Sequence, residues 1–510
     1  MTFIKSSKII KEHKKNNPNL DKNQEKEKKS IFISQEKNFF NKHGFHYRSS
    51  AQFYFVIDKT KKINTSLILF NYFQIKNNNE VAICVTLRDS KGTFVDRRHI
   101  DFTNQSVIVI DDKFWNSDKH LGSVEVEYFS LKNLVIPYAA VIGAYQTNLG
   151  LTYIHTYSRN YSNHEMENGF TVMESCESNW TIRDSKEVES FTVLHNGFLK
   201  VDAQEIKIKI TSESGRVIEK KHFIKALNPY EILEIVPQNY FPDLPNWLNN
   251  EQANCSIAFK INGAFTRTLV GNRTKTMTDM QVTHSNFAYN HHQTDFVDTD
   301  KGFLPYPNFN IKEGQINIYP DMPNGEYFID YDLKEKKSFN FQSGQYISNK
   351  VFNHQSFDIS LGKVKSSLPS RVPIGVSGKS FDAAKDILPF EISLGICTKV
   401  RPGKRFWWGP LGNMETKNCL VIGLLKEIYG EHLNEDICIR IYNDQNNDYK
   451  ELIFTKEQLI AMEYRIDLSK KTLEDINKYG MYTVFSEYPG FFVYSLTENK
   501  EGSIAIEHGF

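Results

Sequence analysis

From about residue 46 the chain alternates apolar and polar residues in short runs broken by turn residues. Ser66–Phe70, Val81–Leu87, Ile206–Ile210 and Ile437–Tyr442 are examples. A period of two, in runs rich in β-branched and aromatic residues, predicts strands. Helical periodicity is confined to short stretches at Asp386–Leu388, Thr455–Glu463 and Thr472–Lys478. The pattern predicts an all-β fold.

The strand pattern repeats. Asp89-Ser90-Lys91-Gly92-Thr93-Phe94-Val95-Asp96-Arg97-Arg98-His99-Ile100 matches Glu213-Ser214-Gly215-Arg216-Val217-Ile218-Glu219-Lys220-Lys221-His222-Phe223. Each reads as a glycine turn followed by a strand ending in acid, two bases, histidine and an apolar residue. The glycine has a physical reason, because a tight hairpin often needs φ > 0. Upstream, Phe70-Asn71 falls on His195-Asn196; downstream, Trp115 falls on Trp247. Both copies close on a strand ending in histidine, Leu151–His155 and Met280–His284. A weaker copy ends the chain, with Cys419–Leu425 and Asp436–Tyr442 as strands and Ser503–His508 as the closing one. Three tandem β-sandwich-like units are therefore expected at 46–160, 168–293 and 390–510. Residues 300–389, β-rich and punctuated by Pro and Gly, are expected to be an insertion or an extra strand layer.

Residues 1–45 differ. The first 35 carry nine lysines and few apolar residues, the composition of a disordered basic tail. Elsewhere composition excludes more than it selects. The 510 residues carry 62 Lys+Arg against 61 Asp+Glu, so global charge gives no signal for nucleic acid. The six cysteines are scattered without a C-x-x-C pair, which reads as buried thiols in a reducing compartment. Met1–Ile10 is interrupted by Lys5 and Lys8, and no apolar run is long enough to span a membrane. A cytoplasmic protein is expected.

Ala140-Val141-Ile142 followed by His155-Thr156-Tyr157-Ser158-Arg159 resembles the end of sensory rhodopsin transducer proteins, as does the Asn-strand-hairpin run upstream. The resemblance covers about 110 residues per copy and implies a β-sandwich with a non-enzymatic ligand-binding or adaptor role, in a family that assembles as an oligomer. The later copies depart from it, reading His284-Ser285-Asn286 and His508-Gly509-Phe510.

No phosphate-cradling loop, GxGxxG, HExxH or GxSxG motif occurs. His155, His284 and His508 occupy equivalent strand ends; units packed around a shared axis would let three imidazoles hold Zn²⁺ or another divalent metal, with Glu507 nearby. The bland alternative is that each histidine caps its strand. His284, His291, His292, Asp295, Asp298 and Asp300 form a second donor-rich stretch, which reads better as a polar linker. Glu174, Glu177, Arg183 and Asp184 near Trp180 could line a cleft, although a charged sheet face is commoner. The Gly/Pro-flanked run Arg401–Pro410 interleaves bases and aromatics; Arg401, Arg405, Trp407 and Trp408 are the candidate ligand-binding residues, with core tryptophans as the alternative.

These features point to a non-catalytic binding or assembly protein with no cofactor. It would hold a carbohydrate-like or phosphosugar ligand or a protein partner, and an oligomer is open. The competing readings are a metal-dependent carbohydrate-modifying enzyme with a histidine-built site, and a structural or virion-type β protein.

Overall fold

The computed structural model describes residues 48–510 except 131–137, 287–295, 298–301, 307–308, 322–324, 332–334, 351–356, 362–367, 370, 398–403, 426–428 and 430–434. The N-terminal tail, His291, His292, Asp295, Asp298, Asp300 and Arg401 lie outside the described residues.

The two sheets of the first repeat are built on eight principal strands: β1 (Arg48–Asp58), β2 (Ile63–Phe70), β3 (Ala82–Asp89), β4 (Phe94–Ile100), β5 (Val107–Ile110), β6 (Lys119–Phe129), β7 (Val141–Gln146) and β8 (Leu151–His155). They pair in two quartets, β4-β3-β6-β1 and β5-β2-β7-β8, joined where β1 turns into β2. The second repeat has β9 (Val172–Ile182), β10 (Val188–His195), β11 (Gln204–Ser212), β12 (Val217–Ile224), β13 (Ile232–Ile235), β14 (Ala253–Asn262), β15 (Leu269–Thr274) and β16 (Met280–His284). Its quartets are β12-β11-β14-β9 and β13-β10-β15-β16, the same order.

The segment after residue 300 takes up that order again. Its strands are β17 (Gly302–Tyr306), β18 (Lys312–Ile318), β19 (Gly325–Tyr331), β20 (Glu335–Phe341), β21 (Ile347–Lys350), β22 (Phe357–Leu361), β23 (Arg371–Lys379) and β24 (Phe390–Cys397). They run as one sheet, β20-β19-β22-β17-β24-β23-β18-β21, which is the two quartets joined edge to edge through Phe303 and Cys397. The β-rich segment is thus a further copy of the unit. Because β24 pairs with β23 along its length, the division drawn at residue 390 moves past Cys397. The last copy comprises β25 (Phe406–Gly412), β26 (Lys417–Leu424), β27 (Ile437–Tyr442), β28 (Tyr449–Phe454), β29 (Arg465–Leu468), β30 (Tyr479–Phe485), β31 (Phe491–Glu498) and β32 (Ile504–His508). It repeats the quartets as β28-β27-β30-β25 and β29-β26-β31-β32.

The matched hairpins agree to the level of single hydrogen bonds. Asp89 N donates to Thr93 O and Gly92 N to Asp89 O; Ser212 N donates to Arg216 O and Gly215 N to Ser212 O. Both glycines sit at φ +82°. The matched tryptophans also lie on equivalent short helices, α1 (Asp112–Trp115) and α2 (Leu244–Leu248). Trp115 is buried, with Arg98 over its ring at 5.1 Å. Trp247 is only half-buried and packs beneath Arg216 at 4.7 Å, so it is a shielding residue and not the deep anchor its repeat position suggested.

The quartets bury residues on both faces where units meet. On β26, Leu420 and Ile422 fill the core of their own sandwich, while Cys419 and Val421 face the third unit. Apolar residues on both faces make such a strand read as a continuous run, Cys419–Leu425, instead of an alternation. Cys84, Cys255 and Cys419 are buried free thiols. Among the described residues no helix is long and apolar enough to cross a membrane.

Three of the closing strands, β8, β16 and β32, are sheet edges, the fourth, β24, is already paired with β17 at its end, and all four pack around one axis. β8 lies against β16 and β32, and β24 closes the ring against the same two. Side chains tie the ring: Ser503 Oγ accepts from Leu151 N (3.0 Å) and Gln281 Nε2 (2.9 Å), and Asp279 Oδ2 accepts from Leu388 N (2.6 Å).

The two hairpin glycines give a test of this packing. A methyl group at Gly92 would meet Pro229 O at 2.2 Å, whereas Gly215 has nothing within 4 Å. Gly215→Ala should cost about 1 kcal/mol for its positive φ. Gly92→Ala should cost clearly more, because the first hairpin is wedged against the second unit. Equal losses in chemical denaturation would argue against that contact.

Candidate metal centre

The closing strands bring their terminal residues together at one end of the axis. His155, His284 and His508 each end a five-residue strand, and one ring nitrogen of each lies within 4.8 Å of the others. The His155 ring centroid is 4.7 Å from that of His284 and 4.9 Å from that of His508. His284 is buried, while the side chains of His155 and His508 keep 12% and 19% of their exposure.

Each imidazole has an acceptor beside Nδ1. His155 Nδ1 lies 3.3 and 3.4 Å from the two Glu507 carboxylate oxygens. His284 Nδ1 lies 2.9 Å from Ser285 O, and His508 Nδ1 lies 3.2 Å from Gly509 O. Acceptors there favour the proton on Nδ1 and the lone pair on Nε2, the outer-shell arrangement of metal-ligating histidines. Tetrahedral zinc with Zn–N of ~2.0–2.1 Å sets nitrogens ~3.3 Å apart, so the rings would draw in by about 1–1.5 Å. Arg267 Nη1 stands 3.5 Å from His284 Nε2 and would have to yield that lone pair to an ion.

The surroundings are closed. The pocket is lined by residues of all four closing strands, with Glu391, Ile392 and Ser393 of β24 where the other strands bring histidine, and it holds no volume open to a water molecule. The Phe510 ring packs on His155 at 4.4 Å and on His508 at 4.5 Å. Its backbone is pinned by a reciprocal pair of hydrogen bonds with Trp408. Burial pushes the Glu507 carboxyl up to about 7, against the lowering influence of His508. Burial likewise raises Glu391, whose Oε1 accepts from Tyr319 OH at 2.9 Å. Glu391 and Phe510 escaped the sequence reading. The interval from His284 to His508, nearly twice that from His155 to His284, is the signal that could have pointed to an intervening closing strand.

The other candidate residues do not form a site together. Trp407 and Trp408 are both buried, which corrects their reading as an exposed ligand platform. They face opposite sides of β25 as alternation requires, but both sides are covered. Trp407 fills its own sandwich, and Trp408 packs against Phe70 and Tyr72 of the first unit. Arg405 forms an exposed pair with Glu487 at 3.5 Å. In the charged group near Trp180, Glu174 pairs with Lys260, Asp184 is buried, and Arg183 reaches Ser377 Oγ of the third unit at 2.9 Å. A separate cavity of about 470 Å³ lies between the first and last units, lined by Asp101, Gln105, Lys113, Phe114, Asn477 and Lys478 among others.

No family model matches the chain, and no curated protein matches it. Among solved structures, a calcium-binding mutant of Bacteroides uniformis beta-glucuronidase 2 aligns at 13% identity and TM-score 0.12, over 52% of this chain and 30% of that one. A glycoside hydrolase family 2 beta-glucuronidase aligns at 6% identity and TM-score 0.12, over 91% and 74%. A bacterial ice-binding adhesin aligns at 7% identity and TM-score 0.10, over 66% and 96%. This chain thus spans under a third of glucuronidase 2, and overlaps at these scores carry no argument about activity.

Two outcomes follow from this geometry. Glu507 binds its proton more tightly folded than unfolded, so between its ordinary value of 4.5 and about 7 its ionisation increasingly opposes the metal-free fold. The stability of the wild type relative to Glu507→Gln should therefore fall, on the order of 1–3 kcal/mol, as pH rises through that window. A difference independent of pH would contradict the buried, proton-holding carboxyl. Separately, Trp408→Ala should cost ~3–5 kcal/mol as a core deletion, while Arg405→Ala should stay within about 0.5 kcal/mol. Denaturation curves that rank them the other way would restore the exposed-platform reading.

Proposed function

We propose that the protein is a non-catalytic binding and assembly protein, one polypeptide that folds into four β-sandwich units and pins their meeting point with a single divalent metal, of zinc type, on His155, His284 and His508. The observation that carries this is the convergence of three imidazoles, each with an acceptor at Nδ1, in a pocket with no room for a substrate. Catalytic zinc sites keep an open position and an approach for substrate, whereas structural sites are closed. The closed pocket favours a clasp over the competing enzyme reading.

The clasp would join the first and last units, since His155 and His508 stand far apart in sequence. Any ligand, carbohydrate-like or phosphosugar, or a protein partner, would then bind at the junctions and outer loops of the units. The cavity between the first and last units, with amides, charged groups and the Phe114 ring in its wall, suits a small hydroxylated molecule.

Metal analysis of the purified protein tests the reading. One zinc-type ion per chain is expected, reduced to a small fraction in His155→Ala and in His284→Ala. Chelation should lower the melting temperature of the wild type and leave that of the variants unchanged. Metal-free protein that takes up no added zinc, or metal retained in both variants, would overturn it.

A further inference from the structure

Burying a positive charge without a partner is costly, and this protein mostly avoids it. Arg48 faces Glu127 at 2.8 Å, Arg88 faces Glu125 at 3.1 Å, Arg273 faces Glu189 and Glu234, and Lys478 faces Asp111 at 2.7 Å. At the junction of the first and last units one lysine, Lys404, departs from the rule, with the exposed Lys76 close by. Lys404, just before β25, lays its ammonium over the Trp407 ring, 4.1 Å from the centroid. Lys76 lies in the one-and-a-half-turn helix Tyr72–Asn77, donates to Tyr72 OH at 2.9 Å and sits 5.3 Å from the Phe406 ring centroid. Neither has a carboxylate within ion-pair distance among the described residues.

We propose that Lys404 and Lys76 form a binding site for a phosphoryl group, with the rings of Tyr72, Phe406 and Trp407 as its walls. Two cations on adjoining elements match the charge of a phosphomonoester, and lysine engages phosphate as a point charge. The aromatic walls limit competing water around the two cations. Lys76 is exposed at the surface and Lys404 is half-buried. Burial and the neighbouring Lys76 hold the Lys404 ammonium down to about 7, the state expected of a cation whose counter-charge has yet to arrive. Desolvation alone also lowers Lys76. The backbone at Lys404 is fixed by a bridge to Gly490, so the site is held in place before a ligand binds. The site stands apart from the histidine centre and does not depend on it. It gives the small-ligand part of the proposed function a phosphate anchor, which selects phosphosugars over neutral sugars.

The test is calorimetric titration of the full-length protein with inorganic phosphate, with glucose 6-phosphate and with glucose, at constant ionic strength. Both phosphates should bind with one site per chain and glucose should not compete. Lys404→Met should weaken phosphate at least tenfold, and Lys76→Met by less. The melting temperature of Lys404→Met should hold or rise, because the variant removes an unmatched charge. A lysine that served only to stack on Trp407 would give the reverse, a lowered melting temperature and unchanged binding. Absence of phosphate binding by the wild type, or equal affinity in Lys404→Met and Lys76→Met and the wild type, overturns the proposal. Metal content is read on the same samples, so a failed phosphate site and a failed metal clasp are told apart.

Discussion

An unpaired sheet edge exposes a row of backbone donors and acceptors, and a stable sandwich must hide it or accept partners there. Three of the four units here end their second quartet on such an edge, at β8, β16 and β32, while β24 of the third unit already meets β17 through Phe303 and Cys397. Bringing these three strands around one axis with β24 removes all three edges from solvent at once. The ring then dictates much else. It sets the second quartets of neighbouring units face to face, which is why strands such as β26 are apolar on both sides. It also gathers the residues that end β8, β16 and β32 into one small volume, with the first half of β24 beside them.

That gathering explains the chemistry at the centre. Three strands end in histidine, and the fourth contributes Glu391, Ile392 and Ser393. Imidazoles packed this closely repel one another once protonated, and the buried Glu507 carboxyl lies beside His155 and His508. Neutral imidazoles with a carboxylate and two carbonyls behind them suit a divalent ion better than they suit each other. The same closeness that makes the site attractive to an ion also shuts out substrate, because the strands that carry the ligands are the walls.

Much of the unit was legible in the chain, for local reasons. A glycine forced to positive φ, with fixed polar neighbours, is a strong mark, and Gly92 and Gly215 carry the same turn hydrogen bonds. Histidine at the end of β8, β16 and β32 was legible because strand length and register are short-range. The third unit was hidden because its hairpins lack that glycine and its closing strand, Phe390–Cys397, lacks the histidine. The tryptophans misled for a different reason. Alternation correctly sends Trp407 and Trp408 to opposite faces of β25, but whether the second face meets solvent depends on how units pack, which no local pattern encodes. The paired lysines were equally invisible, since Lys76 and Lys404 are joined only by the packing of the first unit on the last.

The three imidazoles meet because the four closing strands do. Anomalous diffraction at the zinc edge, on crystals grown with zinc, tests this most directly. It should give one strong peak per chain, bound by His155, His284 and His508 with Zn–N distances of ~2.0–2.1 Å. A peak at other residues only, or rings too far apart to share an ion, would contradict it.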